Sequence, residues 1–343
     1  MFYSFIKKFL KIIIFLLYFF PFSIFGQQIV YDSIIHDNIY RDYIVYIPLS
    51  YNAAEPTPLV FNLHGLTSNA YEQMLYGDFR SIADTANFII VHPQGLLNSS
   101  GVTHWNIGQS TVDDIGFFNS LYTRLIFDYN IDLSRVYSTG MSNGGYMSYY
   151  LACAMNDKIS AIASVTGAMA QYTQTICNPS RPTPIMEIHG TADPTVPFND
   201  IISGLDYWRN YNNCNFIADT TVVPDLVLGD WSTVEHIVYN NGDNGVTTEL
   251  FKVNNGGHTW PGSSFSIGVT NYDINASVEI WNFFAKYDLN GLVTNISENN
   301  NDIYDRDIIK ITDVLGREIQ SKSNVILFYI YNDGTVRKQI ILD

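Results

Sequence analysis

The order of elements predicts an α/β chain: a mostly parallel sheet with helices on both faces, followed by a small all-β tail. Two observations carry this prediction. First, strand-like apolar runs are expected near 43–47, 59–63, 88–92, 136–139, 161–165, 184–188 and 248–253, and they alternate with helix-like runs near 71–86, 114–129, 145–155, 201–212 and 276–287. Alternation of this kind produces parallel strands joined by crossover helices. Second, Gly140-Met141-Ser142-Asn143-Gly144 stands between an apolar run, Arg135 to Thr139, and a helix-like run beginning at Gly145. No expectation is set for 219–230.

A G-x-S-x-G at a strand-to-helix junction is a sharp turn that lifts a serine above the sheet edge, with small residues on either side so that strand and helix can approach. The new helix also points its positive N-terminus at the chemistry. A nucleophile of this kind needs an acid and then a histidine downstream. Asp193 follows the buried run Pro184 to Gly190, and His258 sits on the glycine-rich loop Asn254 to Gly262 after another strand-like run. This order, Ser142, Asp193, His258, is that of an α/β-hydrolase. His258 is the expected general base and Asp193 the group that fixes its tautomer. The expected oxyanion donors are the backbone amides of Asn143, after the nucleophile, and Leu66, after the run ending in His64-Gly65.

Competing assignments are weaker. His236 lies in an alternating segment and reads as a sheet-face residue. Asp113 and Asp114 precede the serine and open a helix, where acidic residues favour the dipole. His189 reads as a packed neighbour of the acid, and His92 and His104 as candidates for the cleft. Trp260, His64 and Trp105 are the expected substrate-binding residues; for Trp260 the alternative is a role in packing the histidine loop.

Leu63-His64-Gly65, Val91-His92-Pro93-Gln94-Gly95, Gly140-Met141-Ser142-Asn143-Gly144-Gly145 and Gly257-His258-Thr259-Trp260-Pro261-Gly262 together resemble extracellular esterases of the first carbohydrate esterase family, the feruloyl-esterase-like and polyhydroxybutyrate depolymerase-like group. Asp113 to Phe117 and Ile188 to Asp193 strengthen the resemblance, which runs roughly from 28 to 290. It implies a secreted serine esterase without cofactor; no metal is expected, since no Cys/His pair stands at ligand spacing. Related sequences pair a cysteine near Cys214 with a later one, but Tyr239 to Asp243 holds none. The resemblance therefore leaves Cys153–Cys177 as the expected bridge, with three reduced thiols as the alternative.

The net charge of −15, with only 18 basic residues, argues against nucleic-acid and anionic-membrane partners. Lys7, Lys8 and Lys11 precede an apolar run from Ile12 to Phe20, then Pro21 and Gly26. This reads as an export leader over 1–26, with a membrane anchor as the alternative; the apolar run is shorter than the roughly 20 residues that span a bilayer. The expected catalytic domain covers 27–292, and an asparagine-rich linker 293–307. Alternating segments over 308–343 resemble the sorting domain of type IX secretion cargo, without its usual Tyr-Pro-Asn-Pro opening; the alternative is a β add-on packed on the catalytic domain. The expected product is a monomer, secreted or at the cell surface, with the secretion machinery as partner through its tail.

The expected function is hydrolysis of carboxylic esters: acetyl or feruloyl esters of plant polysaccharide, or polyhydroxyalkanoate-type esters. The alternatives are a non-catalytic carbohydrate-binding or adhesion protein on this scaffold, and a peptidase of the same fold.

Overall fold

A computed structural model of the chain describes residues 28–293, 308–312, 317–319, 326–331 and 336–340. The expected leader, its cleavage point and nearly all of the expected linker lie outside the described residues.

The chain opens with a hairpin, β1 (Gln28–His36) and β2 (Ile39–Ile47), closed by Asp37 and Asn38, both at positive φ. Next come β3 (Thr57–Leu63), helices α1 (Ala70–Tyr76) and α2 (Arg80–Ala86), and β4 (Ile89–Pro93). A two-residue ribbon, β5 (Leu96–Leu97) with β6 (Thr103–His104), leads to α3 (Asp114–Asp128), β7 (Ile131–Met141) and α4 (Asn143–Ala154). Then follow β8 (Ala161–Val165), α5 (Gln171–Ile176), β9 (Ile185–Gly190), α6 (Phe198–Tyr211), β10 (Asp219–Val222), β11 (Thr233–Tyr239), β12 (Thr248–Asn254) and α7 (Ala276–Phe284).

Ten strands form one sheet in the order β1-β2-β4-β3-β7-β8-β9-β12-β11-β10. The run from β4 to β12 is parallel, and two antiparallel strands extend each edge. This is the α/β-hydrolase fold. The central strands β3, β4, β8 and β9 are buried at every position, as strands covered on both faces must be.

Strand alternation divides the core into two. Leu59, Phe61 and Leu63 of β3 face Trp105, Phe117, Phe118 and Leu121 with Met147 and Leu151. Val60 points the other way, into a cluster with Phe79, Ala83, Phe283 and Phe284. Helices α3 and α4 therefore cover one face, and α2 and α7 the other.

Local signals explain the helix ends. Asp113 caps α3, its carboxylate accepting from the Gly116 amide, and Asn69 and Asn275 cap α1 and α7 in the same way. The expected single helix over 71–86 is two helices, α1 and α2. The chain breaks at Gly77, where a Cβ would lie 2.8 Å from Gln73 Nε2 and 3.0 Å from the Trp260 ring. The unassigned stretch 219–230 holds the exposed edge strand β10 and a short 3-10 turn, Leu228–Asp230. Cys153 of α4 is bonded to Cys177 at the end of α5, and Cys214 is a free thiol.

The chain divides into two compact units, 1–292 and 293–343. The first ends in a small ribbon, β13 (Tyr287–Asp288) with β14 (Gly291–Leu292). In the second, β15 (Ile308–Thr312), β16 (Ile326–Tyr331) and β17 (Val336–Ile340) form an antiparallel three-stranded sheet. The Leu315-Gly316 and Asp333-Gly334 pairs, from which turns between these alternating segments are expected, lie outside the described residues. Among the described residues no helix is long and apolar enough to cross a membrane.

Candidate active site

Ser142 links the end of β7 to the start of α4 at φ 53°, ψ −117°. A serine in this region is strained by on the order of 1–3 kcal/mol, a cost the surrounding structure must offset. The flanking glycines explain how the turn fits. A Cβ on Gly140 would lie 2.6 Å from the Leu63 carbonyl oxygen, and one on Gly144 would overlap the same atom. The Ser142 amide donates to the Val165 carbonyl at 2.8 Å, tying the turn to β8.

Asp193 lies three residues past β9, its side chain fully buried. Its Oδ1 accepts from the amides of Thr195 (2.8 Å) and Val196 (2.9 Å), and its Oδ2 accepts from His258 Nδ1 at 2.7 Å. Burial pushes its pKa up, but the His258 hydrogen bond and the two amides outweigh that and leave it below the usual carboxylate range. The acid turn is seated on the histidine loop: Ala192 donates to the Gly256 carbonyl (3.0 Å), and the Asn255 amide to Thr191 Oγ1 (2.8 Å). With Nδ1–H directed at a carboxylate, His258 is held with Nε2 free to accept a proton.

Ser142, His258, Gly65 and Leu66 line one cavity of about 490 Å³. Its remaining wall is largely apolar, with Leu75, Tyr76, Met141, Phe265 and Ile267. Among the described residues, no hydrogen bond engages the backbone amide of Leu66 or Asn143. His64 stabilises this wall from behind. Its Nε2 accepts from the Gly95 amide (2.9 Å), so Nδ1 carries the proton and donates to the Gly65 carbonyl at 2.8 Å. Burial pushes its pKa down to about 4, keeping it neutral.

Three expected substrate-binding residues need correction. His64 is wholly buried and holds the turn rather than facing a substrate. Trp105 is also wholly buried; its indole N–H donates to the His64 carbonyl (3.0 Å), and the Asn143 side-chain oxygen accepts from its amide (2.7 Å). Trp260 is 1% exposed and points away from the cavity into the core. Its ring meets Phe79 edge-on, its indole N–H donates to Ser277 Oγ (3.2 Å), and its amide donates to Tyr76 Oη (3.0 Å). It packs the histidine loop, because alternate residues after a loop histidine carry no fixed direction.

His92 and His104, candidates for the cleft, are also buried, at 1% and 6% exposure. His236 lies on β11, its Nε2 2.7 Å from Glu249 Oε2. Asp114 is buried against Arg41 at 2.6 Å and accepts from the Asn106 amide, a structural role. His189 is wholly buried beside the acid.

Sequence reasoning missed the partners of His189. Its Nε2 faces the Val196 carbonyl at 2.9 Å, an acceptor only, so that nitrogen carries a proton. Its Nδ1 shares a second proton with Glu187 Oε1 at 3.0 Å, and Tyr149 donates to Glu187 Oε2 at 3.1 Å. Burial raises the Glu187 pKa, while for His189 the Glu187 contact overcomes burial and raises it too. Both are spaced along β9, so their meeting follows from strand alternation; Tyr149, from α4, left no sequence signal. Phe265 and Ile267 were also missed; two apolar residues on a Ser/Gly-rich loop just after His258 were the available signal.

Among the described residues, one other group, His36, Asp37 and Asp113, brings ligand-type atoms within 4.8 Å of one another. Its members already contact one another, His36 Nε2 lying 3.2 Å from Asp113 and 3.6 Å from Asp37.

Residues 119–222 match the family described as Phospholipase/Carboxylesterase, a stretch that includes Ser142 and Asp193 and ends before His258. The chain is 28% identical over 260 residues to a bifunctional acetylxylan esterase/xylanase of Neocallimastix patriciarum, covering 74% of this chain and 34% of that protein. It is 26% identical over 228 residues to feruloyl esterase B of Piromyces equi, covering 64% and 42%. To a probable feruloyl esterase C of Aspergillus oryzae it is 27% identical over 219 residues, covering 61% and 74%. The chain thus spans about a third of the length of the first of these relatives and under half of the second. Among solved structures, an acetyl xylan esterase from Aspergillus awamori superposes with TM-score 0.57 at 16% identity, over 76% of this chain and 99% of that one. That likeness is one of fold.

Proposed function

We propose that the protein is a serine-dependent carboxylic ester hydrolase acting on esters carried by plant polysaccharide. The observation that carries this reading is the His258–Asp193 contact at 2.7 Å on the wall of the cavity that Ser142 and Leu66 also line. The relatives, acetylxylan and feruloyl esterases by name, support it.

In the proposed cycle, His258 Nε2 takes the Ser142 proton as Oγ attacks the ester carbonyl carbon. Negative charge gathers on the carbonyl oxygen, where the Asn143 and Leu66 amides donate to it. Asp193 stabilises the imidazolium so formed. The intermediate collapses as His258 gives its proton to the departing alcohol, leaving Ser142 acylated. Water, deprotonated by His258, then releases the acid. Every group the cycle needs is a side chain or amide of this chain, and neither metal nor cofactor enters it.

We also read residues 1–26 as an export leader and 308–343 as a sorting tail, which would place the enzyme outside the cell or at its surface. Truncation before Asn301 should then leave the enzyme in the periplasm of its native host with unchanged activity on soluble esters. Secretion of the truncated chain would end the sorting reading.

The activity test is hydrolysis of nitrophenyl acetate, acetylated xylan, methyl ferulate and polyhydroxybutyrate. Turnover of at least one ester, lost in Ser142→Ala, is the expected result. No turnover of any of them would remove the proposal.

A further inference from the structure

Beside the Ser142 cavity lies a second cleft of about 550 Å³ that the ester chemistry does not use. The two are separated only by the start of α1. Ser68 and Glu72 line the first, and Asn69, Ala70 and Tyr71, between them, line the second.

The second cleft is built from alternation across the β1–β2 hairpin. Tyr31 pairs with Ile44, and Ser33 with Asp42, so these four side chains share one face. Ile44 packs on Ala70 and Met74 to make an apolar floor. Above it stand Tyr31 and Tyr71, 64% and 51% exposed. Gln94 Oε1 accepts from the Ala70 amide at 2.9 Å and locks α1 against the sheet, so the cleft walls are fixed.

Its polar groups divide into those already engaged and those still open. Asp32 is engaged with Tyr43 and the Ser33 amide, and Gln94 with Ala70. The Asp42 carboxylate, the Ser33 hydroxyl, the Asn69 side-chain amide N–H and both tyrosine hydroxyls have no hydrogen-bond partner among the described residues. Open acceptors and donors between exposed aromatic rings, over a small apolar floor, match one ligand chemistry. A pyranose offers an apolar C–H face to a ring and hydroxyls around its rim. A chain of them would run from this cleft past Tyr71 to the Ser142 cavity. The unpaired Asp42 would repel uronate chains, so the fit is to a neutral glycan.

We infer that this cleft is a glycan-binding subsite that holds the neutral backbone of the polysaccharide while its ester enters the Ser142 cavity. The inference rests on the polysaccharide-ester reading above and names the part of the molecule that would recognise the polymer.

The test uses the full chain carrying Ser142→Ala, so that binding is read without turnover. Xylohexaose and cellohexaose are titrated by calorimetry, with a galacturonate oligomer as the anionic control. Saturable binding of at least one neutral oligomer is expected, weakened about five- to tenfold by Tyr31→Ala or Tyr71→Ala, and absent for the galacturonate. Asp42→Asn tests the charge: it should let galacturonate bind while keeping the neutral oligomer. In the active enzyme, Tyr31→Ala should lower kcat/KM on acetylated xylo-oligosaccharide relative to nitrophenyl acetate by a similar factor. Both tyrosines are exposed, so the variants should fold, and an unchanged melting temperature checks that. If neither neutral oligomer binds, if the tyrosine variants bind as the parent does, or if galacturonate binds in preference, the subsite is wrong. Its failure shows as intact nitrophenyl acetate turnover without glycan binding. Failure of the esterase reading shows as the absence of turnover in the active enzyme.

Discussion

Replacing Asp193 with asparagine changes one atom and reverses the hydrogen-bond logic of the site. The carboxylate accepts three hydrogen bonds, two from the Thr195 and Val196 amides at Oδ1 and one from His258 at Oδ2. An asparagine has one acceptor oxygen and one donor NH₂. Turning the NH₂ toward the two amides would set donor against donor in a fully buried site, so the oxygen stays there and the NH₂ faces His258. Nδ1 must then accept, the proton moves to Nε2, and the imidazole has no lone pair for the Ser142 proton. The expected loss is about 10⁴ in kcat, or ~5.4 kcal/mol in the barrier. Binding contacts in the cavity are untouched, so KM should move little. The two amide bonds survive, so the melting temperature should fall by only a few degrees. Nitrophenyl acetate hydrolysis and thermal unfolding read both quantities. A kcat within tenfold of the parent, in a variant that melts normally, would refute the tautomer argument and with it the acid's assignment.

Other expectations follow from the same contacts. Ser142→Gly relieves the positive-φ strain that Ser142→Ala retains, so the inactive glycine variant should be about 1 kcal/mol the more stable by urea unfolding; a less stable glycine variant would show the turn to be unstrained. Trp260→Ala should cost about 3–5 kcal/mol of stability and lower turnover equally on all esters. A KM increase confined to aromatic or sugar esters would instead restore a role in binding. Burial pushes His64 and His92 down to about 4 and about 3, below an unfolded value of about 6.5. As pH falls from about 6.5 toward 4, the unfolded chain takes up these protons first, and stability should drop by roughly 1.4 kcal/mol per pH unit for each. His189, with a raised pKa, acts in the opposite direction but only above about 6.5, where its contribution is lost as pH rises. Urea midpoints that are flat between pH 6.5 and 4.5 would contradict this.

The parallel core of the fold was legible because β3, β4, β8 and β9 fall in largely apolar runs separated by helical segments. That they are parallel and covered on both faces follows from that pattern; their order in the sheet, with β3 between β4 and β7, does not. The turn at Ser142 was legible because local geometry requires glycine at 140 and 144 on either side of it, and the positions of Asp193 and His258 because each sits on a loop just beyond a strand end. The edges were less readable. β1 lacks strict alternation, and the exposed β10 buries nothing that would leave a periodic trace. The break between α1 and α2 depends on Trp260, which reaches Gly77 from 183 positions away in sequence. Side-chain direction was least legible of all. Trp260 and His64 lie within two residues of groups that line the Ser142 cavity, yet both turn into the core, as Trp105 does, because sequence proximity sets a position and tertiary packing sets an orientation.

The central claim is that Ser142 is the nucleophile of a charge-poised triad. Labelling with a fluorophosphonate, followed by peptide mass spectrometry, tests it most directly. The account predicts one adduct, on the peptide carrying Ser142, with ester turnover lost in step with labelling. It also predicts no adduct in Ser142→Ala and greatly slowed labelling in His258→Ala. Labelling of a different serine, or undiminished labelling and turnover in Ser142→Ala, would contradict it.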